Sequence, residues 1–182
     1  MCGIAGIYSA NHLNSESLIR TMTYCLAHRG PDAEGFFSDP TIAFGHRRLS
    51  IIDLSESANQ PMKSRDGRWV MMFNGEVFNY REIAETLNVP LRTSSDTEVM
   101  LEAFAKFGIE AVQQFNGMFT IALYDQVEGA LFLFRDRAGV KPLFYFWESD
   151  NLFFASEIKS LLVIESIRTQ LSINDEAISL FL

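Results

Sequence analysis

The sequence predicts an α+β fold built from antiparallel sheets, and three observations carry that expectation. Short apolar or alternating runs bounded by Gly, Pro, Asn and Asp recur at close spacing, the pattern of short strands. Glycine pairs such as Asp66-Gly67 and Glu128-Gly129 lie between successive runs, where a tight antiparallel turn is the simplest link. Helical patterns are grouped instead of following every strand, which argues against a regular βαβ repeat.

In chain order, the strand candidates are Gly3 to Tyr8, Gly35 to Ser38, Ile42 to His46, Trp69 to Phe73, Met118 to Tyr124, Ala130 to Arg135, Leu143 to Trp147 and Leu152 to Ala155. A first helical pattern begins at Ser15-Glu16 and runs through Tyr24-Cys25-Leu26. Asn79 stands in a capping position before Tyr80 to Leu87, and Asp96-Thr97-Glu98 opens a stretch through Val99 to Phe107 that Gly108 closes. An acidic first turn and a glycine after the last apolar residue are helix start and stop signals. The last pattern begins near Ser172 or Asn174 and stops in mid-apolar run at Phe181-Leu182, so a longer parent chain is expected.

The 182 residues are 48% hydrophobic and include 16 Phe, enough for one sizeable core or two packed layers. Lys and Arg number 15 against 23 Asp and Glu, a net charge of −8. With no basic excess to meet phosphates, no nucleic acid partner is expected. No charged leader precedes an apolar segment, and no run approaches the roughly 18 apolar residues of a membrane span. A cytoplasmic protein with no membrane partner is expected. Cys2 and Cys25 are too few for a disulfide framework and neither has metal-ligand spacing. His12, His28 and His46 are scattered, so no metal site is expected.

Cys2 occupies a chemically special position. Removal of Met1 gives it a free α-amine beside its own thiol, with unperturbed pKa values of about 7.7–8.0 and about 8.5. Near neutral pH one group can take the other's proton directly or through one water. The same cysteine also reads as an inert core residue at the start of an apolar strand. Acyl transfer needs an oxyanion hole. Asn74-Gly75, placed at the end of the run Trp69 to Phe73, offers a side-chain amide and a backbone N–H, but Asn-Gly is equally a hairpin turn. Glu76 to Tyr80 leads toward a helix start and not a mate strand, which weakens the turn reading. Arg47 and Arg48 lie between apolar stretches, where a guanidinium can clamp a carboxylate or simply be solvated. Asp96 can hold an ammonium or serve only at a helix N-terminus. On the residues alone these alternatives stay open.

The motifs MCGIAGIY, AHRGPDAEG, FGHRRLSIIDLS, NQPM, FNGEVFNYREI, SSDTEVMLEAF, FNGMFTIALYD, LFLFRDRAGVKPLFYF and FASEIKSLL occur in this order over residues 2 to 162. Together they resemble the glutaminase domain of glutamine-hydrolysing asparagine synthetases, a class II glutamine amidotransferase domain. The resemblance implies a four-layer αββα sandwich of the N-terminal-nucleophile hydrolase type, with two antiparallel sheets between helices. It implies Cys2 as nucleophile with its freed amine as base, and Asn74 and Gly75 as oxyanion hole. It implies a glutamine pocket of Arg48 on the α-carboxylate, backbone from Leu49, Ser50, Ile51 and Ile52, and Glu76 and Asp96 at the amino end. Arg47 falls outside that role and is assigned to the surface. Related amidotransferases that aminate phosphosugars or form phosphoribosylamine read differently at the Arg-Gly-Pro-Asp and Arg-Leu-Ser-Ile positions. Ala138 departs from the larger apolar residue common in the family.

On this resemblance, residues 1–165 form the glutaminase domain and 166–182 a linker or the start of a synthetase domain. The expected reaction is hydrolysis of the glutamine side-chain amide through a Cys2 thioester, supplying ammonia to an asparagine-synthetase-type domain of the same parent chain. The alternative is a non-catalytic glutamine-binding or assembly module. No Ser-Gly-Gly-x-Asp-Ser or GxxxxGK loop is present. No cofactor is expected in this domain, and ATP and magnesium are expected only for the synthetase domain.

Overall fold

The computed structural model describes residues 1–9 and 16–181; His12 and the Ser15 helix start lie outside the described residues. Among the described residues, nine strands form two antiparallel sheets. One sheet has the order β2-β3-β1-β9-β8, from β1 (Gly3–Ser9), β2 (Ala33–Asp39), β3 (Ile42–Arg48), β8 (Phe144–Glu148) and β9 (Asn151–Ala155). The other has the order β4-β5-β6-β7, from β4 (Met62–Lys63), β5 (Trp69–Val77), β6 (Gly117–Asp125) and β7 (Ala130–Arg135). The expected turns at Gly67 and Gly129 adopt φ of 75° and 64°, which glycine accepts without strain.

Strand alternation sorts the apolar side chains into three layers. Ile4, Ile42, Phe44, Val70, Met72, Ala122, Tyr124 and Phe154 meet between the sheets. The opposite face of the first sheet, through Ala5, Ile7, Ala43, Phe153 and Ala155, packs against Ile19, Met22 and Leu26 and against Leu161, Ile164 and Ile167. These come from α1 (Glu16–Tyr24) and its following turn, and from the region of α4 (Ile158–Leu161) and α5 (Glu165–Thr169). Ile167 is buried in this cluster, so the first sheet's helical layer continues past residue 165. The outer face of the second sheet, through Met71, Phe73, Val77, Phe119, Ile121 and Leu123, covers α2 (Tyr80–Leu87) and α3 (Asp96–Phe107). The result is the αββα sandwich. A sixth helix, α6 (Asp175–Phe181), leaves Ile178, Leu180 and Phe181 exposed. Among the described residues no helix is long and apolar enough to cross a membrane.

The secure helix signal at Asp96 has a plain cause. The Ser95 hydroxyl accepts the Glu98 N–H at 3.3 Å, and the Gly108 N–H returns to the Phe104 carbonyl at φ 71°, so both ends are capped. One expectation needs correcting: β5 does not stop at Phe73. Asn74 and Gly75 pair in register with Thr120 and Phe119, so they lie within the strand, and the hairpin alternative is removed. Pairing continues because Asn74 and Glu76 take up the inward positions that follow Val70 and Met72, where period-two alternation persists although the apolar character ends.

Gly6 and Phe154 are register partners, and a Cβ at Gly6 would lie 2.0 Å from Phe154 Cζ. Gly6→Ala is therefore expected to cost about 1–3 kcal/mol through overpacking of the inter-sheet layer. A denaturant midpoint within error of wild type would contradict this packing.

Candidate active site

Three inward stripes turn polar at the same end of the sandwich. On β1 and the residue before it the stripe reads Cys2, Ile4, Gly6, and on β3 it reads Ile42, Phe44, His46, Arg48. On β5 it reads Val70, Met72, Asn74, Glu76. Their polar ends border a cleft of about 200 Å3 lined by Cys2, Arg48, Leu49, Ile51, Ile52, Asn74, Gly75, Glu76 and Asp96, with Gln60, Lys141 and Met1 among its other walls. A space of this size suits a single amino acid better than a drug-sized ligand.

The Cys2 thiol sits beside Leu49, whose N–H donates to Sγ at 3.4 Å and whose carbonyl lies 3.7 Å from it. Burial pushes the Cys2 thiol up; the Leu49 N–H, the terminal ammonium and Arg48 oppose the rise, and Asp96 adds to it. The sulfur therefore needs a base to become a thiolate at neutral pH. Arg29 fixes the neighbouring main chain: its Nε donates to the Cys2 carbonyl at 2.9 Å and its Nη1 reaches Glu157 at 3.0 Å. The sequence reading quoted Arg29 within a motif without giving it a task.

Asn74 is 1% exposed, and neither Oδ1 nor Nδ2 has a hydrogen-bond partner among the described residues. Such an unmade pair is costly in a folded interior, so its presence on a cleft wall points to a ligand. Gly75 adds a main-chain donor by parity. Phe78 N–H bonds Asn116 on the β6 side, while Val77 N–H turns away to Asp96 Oδ2 at 3.1 Å. In an antiparallel ladder successive residues alternate sides, so the Gly75 N–H, like that of Val77, points away from β6. Removing a side chain at this position also avoids collision, since a Cβ there would meet the Met118 carbonyl at 2.2 Å.

Arg48 and Arg47 separate by the same alternation. Arg48 faces the inter-sheet cleft, 7% exposed. Its Nη1 donates to the Ser55 carbonyl and to Asn59 Oδ1, both at 2.7 Å, and its Nη2 donates to the Asp53 carbonyl. Of the five N–H groups of a guanidinium, these bonds leave Nε–H and one Nη2–H, the pair that meets a carboxylate side-on. Arg47 turns to the outer face and pairs with Glu34 at 2.8 Å.

Asp96 heads α3 and is 5% exposed. Burial raises its pKa to about 6; bonds from the Val77 and Thr97 N–H groups oppose the rise and Glu76 adds to it. The loop before it is locked by buried Glu98, which accepts the N–H groups of Arg92 and Thr93 and pairs with Arg92 Nε at 2.8 Å. Between Leu49 and Ile51, the Ser50 N–H donates to Asp32 Oδ2 at 2.8 Å.

Gln60 and Lys141 also line the cleft, beyond the residues sequence reasoning named. Lys141 is 6% exposed and its Nζ lies 3.2 Å from Met1 Sδ. Asp136 fixes its loop by accepting the Val140 and Lys141 N–H groups at 2.8 and 2.9 Å. A lone lysine in Gly-Val-Lys-Pro carries no local signal that its loop returns to residue 1.

The family model described as glutamine amidotransferase domain matches residues 1–182. A putative glutamine-hydrolysing asparagine synthetase 2 of Methanocaldococcus jannaschii is 37% identical, matching 100% of this chain and 39% of its own length. Glutamine-hydrolysing asparagine synthetases 1 and 2 of Bacillus subtilis are 38% and 42% identical, matching 100% and 88% of this chain but 29% and 22% of their own lengths. The chain thus spans well under half the length of these relatives. Among solved structures, the glutamine phosphoribosylpyrophosphate amidotransferase of B. subtilis superposes with a TM-score of 0.76 at 20% identity, over 88% of this chain and 43% of that one. A structure described as the allosteric regulatory enzyme of purine biosynthesis gives 0.77 at 20% identity, over 89% and 43%. The fold is thereby the expected α+β sandwich, shared with these structures.

In the folded chain Asp96 stays protonated to about pH 6, and unfolded to about 3.8. The folded state therefore holds the extra proton, and its advantage is lost as pH rises through that window. Relative to Asp96→Asn, wild-type stability is expected to fall by about 3 kcal/mol between about pH 3.5 and 7. Parallel stability–pH curves for the two proteins would contradict the burial argument.

Proposed function

Because the chain belongs to the glutamine amidotransferase domain family, we propose that its cleft hydrolyses the side-chain amide of glutamine to glutamate and ammonia. The observation that carries this reading is the convergence of Cys2, Arg48, Asn74, Gly75 and Asp96 on one cleft of amino-acid size. Loss of Met1 leaves the Cys2 nitrogen as an amine next to a thiol that burial keeps protonated. The amine takes the thiol proton and Sγ attacks the carboxamide carbon. Negative charge gathers on the amide oxygen, where the Asn74 amide and the Gly75 N–H supply donors without reorganisation. Collapse of the tetrahedral adduct breaks the C–N bond, the amine's proton leaves with ammonia, and a γ-glutamyl thioester remains. Water, deprotonated by the same amine, resolves the thioester to glutamate and free thiol.

Arg48 holds the α-carboxylate through its remaining N–H pair, and Asp96 with Glu76 holds the α-ammonium. Leu49, Ile51 and Ile52 line the same cleft. The reaction as written balances with water alone, so this domain's step calls for no cofactor. The length of the relatives supports a further domain in the parent chain that accepts the ammonia; ATP and magnesium belong to that domain, with asparagine as its product. Exposed Ile51 on the cleft wall, and exposed Leu54 and Val140 next in sequence to the lining residues Asp53 and Lys141, suit contact with it.

Intact mass before and after exposure to a diazo-oxo-norleucine, an electrophilic glutamine analogue, tests the core of this proposal. The expected result is a starting mass short by one methionine, then one adduct on Cys2 that excess glutamine blocks. Processed protein that takes up no adduct overturns the proposal. Separately, Asn74→Ala is expected to lower kcat for glutamine hydrolysis by about 10²–10³-fold, as for other oxyanion donors. A wild-type kcat in that variant would remove Asn74 from the mechanism.

A further inference from the structure

β5 loses its neighbour early. β4 pairs with it only opposite Val70 and Met71, so from Phe73 onward the strand has an open edge on that side. By the parity established above, Phe73, Gly75 and Val77 all direct their main-chain groups to this edge. The Phe73 N–H donates to Gln60 Oε1 at 2.6 Å, and the Phe73 carbonyl accepts from His46 Nε2 at 3.2 Å. Farther along, Val77 N–H is held by Asp96. Among the described residues, side chains from different parts of the fold stand in for a strand here. An unpaired buried peptide would be free to rotate and costly to bury.

We propose that His46 and Gln60 are positioning residues for the oxyanion donors. Together they replace the absent strand beside Phe73 and fix the peptide that leads into Asn74 and Gly75. This inference rests on the glutaminase reading of the cleft. His46 itself does not line the cleft; it is fully buried on β3, two residues before Arg48. Its hydrogen bond therefore joins the sheet that carries the nucleophile to the strand that carries the oxyanion donors. The bond requires the proton on Nε2, and Nδ1 is left without a partner among the described residues. Burial lowers the pKa to about 4, against the pull of the Phe73 carbonyl and with Arg48 adding to the fall, so the ring stays a neutral donor at working pH. Gln60 is locked in turn by its Nε2 donating to Thr97 Oγ1 at 3.3 Å, next to Asp96.

The test compares the full chain with His46→Leu, His46→Gln and Gln60→Leu. His46→Leu is expected to lower kcat about 10–100-fold while KM moves less than about threefold, the split produced by displaced transition-state donors. Carboxamidomethylation of Cys2, which uses no oxyanion hole, is expected to keep its rate. His46→Gln restores a donor of similar reach and is expected to recover kcat to within about fivefold of wild type. Gln60→Leu is expected to speed hydrogen exchange of the Phe73 amide at least about tenfold by removing its acceptor. A folded His46→Leu protein with wild-type kcat overturns the proposal, as do parallel losses in kcat, KM and Cys2 reactivity or failure of the Gln variant to recover. If His46→Leu does not fold, His46→Gln and Gln60→Leu decide, with unchanged Phe73 exchange in Gln60→Leu counting against the bracket. Wild-type protein without glutaminase activity refutes the functional reading, and that exchange measurement then decides the bracket alone.

Discussion

The spacing of the two sheets is the constraint on which the site depends. Neither sheet carries a complete set of groups. Arg48 comes from β3 of the first sheet and Cys2 directly precedes its β1, while Asn74, Gly75 and Glu76 come from β5 of the second and Asp96 from the helix packed on it. Their mutual distances are set by the apolar layer of Ile4, Phe44, Met72 and Phe154 between the sheets. Sheets packed face to face stand about 10 Å apart, and the same three stripes that fill this gap with hydrocarbon end in the polar groups of the cleft. The core therefore positions the chemistry directly, with no long loop between packing residue and functional residue.

Within that frame, hydrogen bonds are allocated so that strand-edge groups face the cleft only where they are useful. Along β5 the Phe73 groups and the Val77 N–H are taken by Gln60, His46 and Asp96. The Gly75 N–H between them has the parity to face the same edge. A longer β4 would have paired this edge and closed it to a ligand. Its two-residue length is thus a condition for the cleft, and the buried amide of Asn74, without partners among the described residues, is the local cost of a site kept ready for a polar ligand.

Much of this was legible in the sequence where local chemistry and global fold agree. The strand alternation, the glycine turns at Gly67 and Gly129, and the Asp96–Phe107 helix follow from period, φ preference and capping. Asn74-Gly75 was ambiguous because the dipeptide prefers a turn, and only pairing with Thr120 and Phe119 overrides that preference. The ordered motifs carried the resemblance to the family and, through it, most of the cleft's residues. What stayed hidden were long-range contacts made by single side chains: Arg29 on the Cys2 carbonyl, Gln60 on Phe73, and Lys141 returning to Met1. The same holds for the Ser50 N–H, which an Asp32 carboxylate 18 positions away accepts.

The first residue gives the final constraint its direction. Met1 lines the cleft, its amine donates to the Arg29 carbonyl at 3.1 Å, and its sulfur is 3.2 Å from the buried Lys141 ammonium. A thioether is a weak acceptor for an ammonium held away from water, so this contact satisfies Lys141 poorly. Removing Met1 widens the cleft and leaves the Cys2 nitrogen as a new α-amine beside the thiol. Lys141, held in place by the loop that Asp136 fixes, then remains as a cationic wall of the cleft in which the proposed reaction takes place.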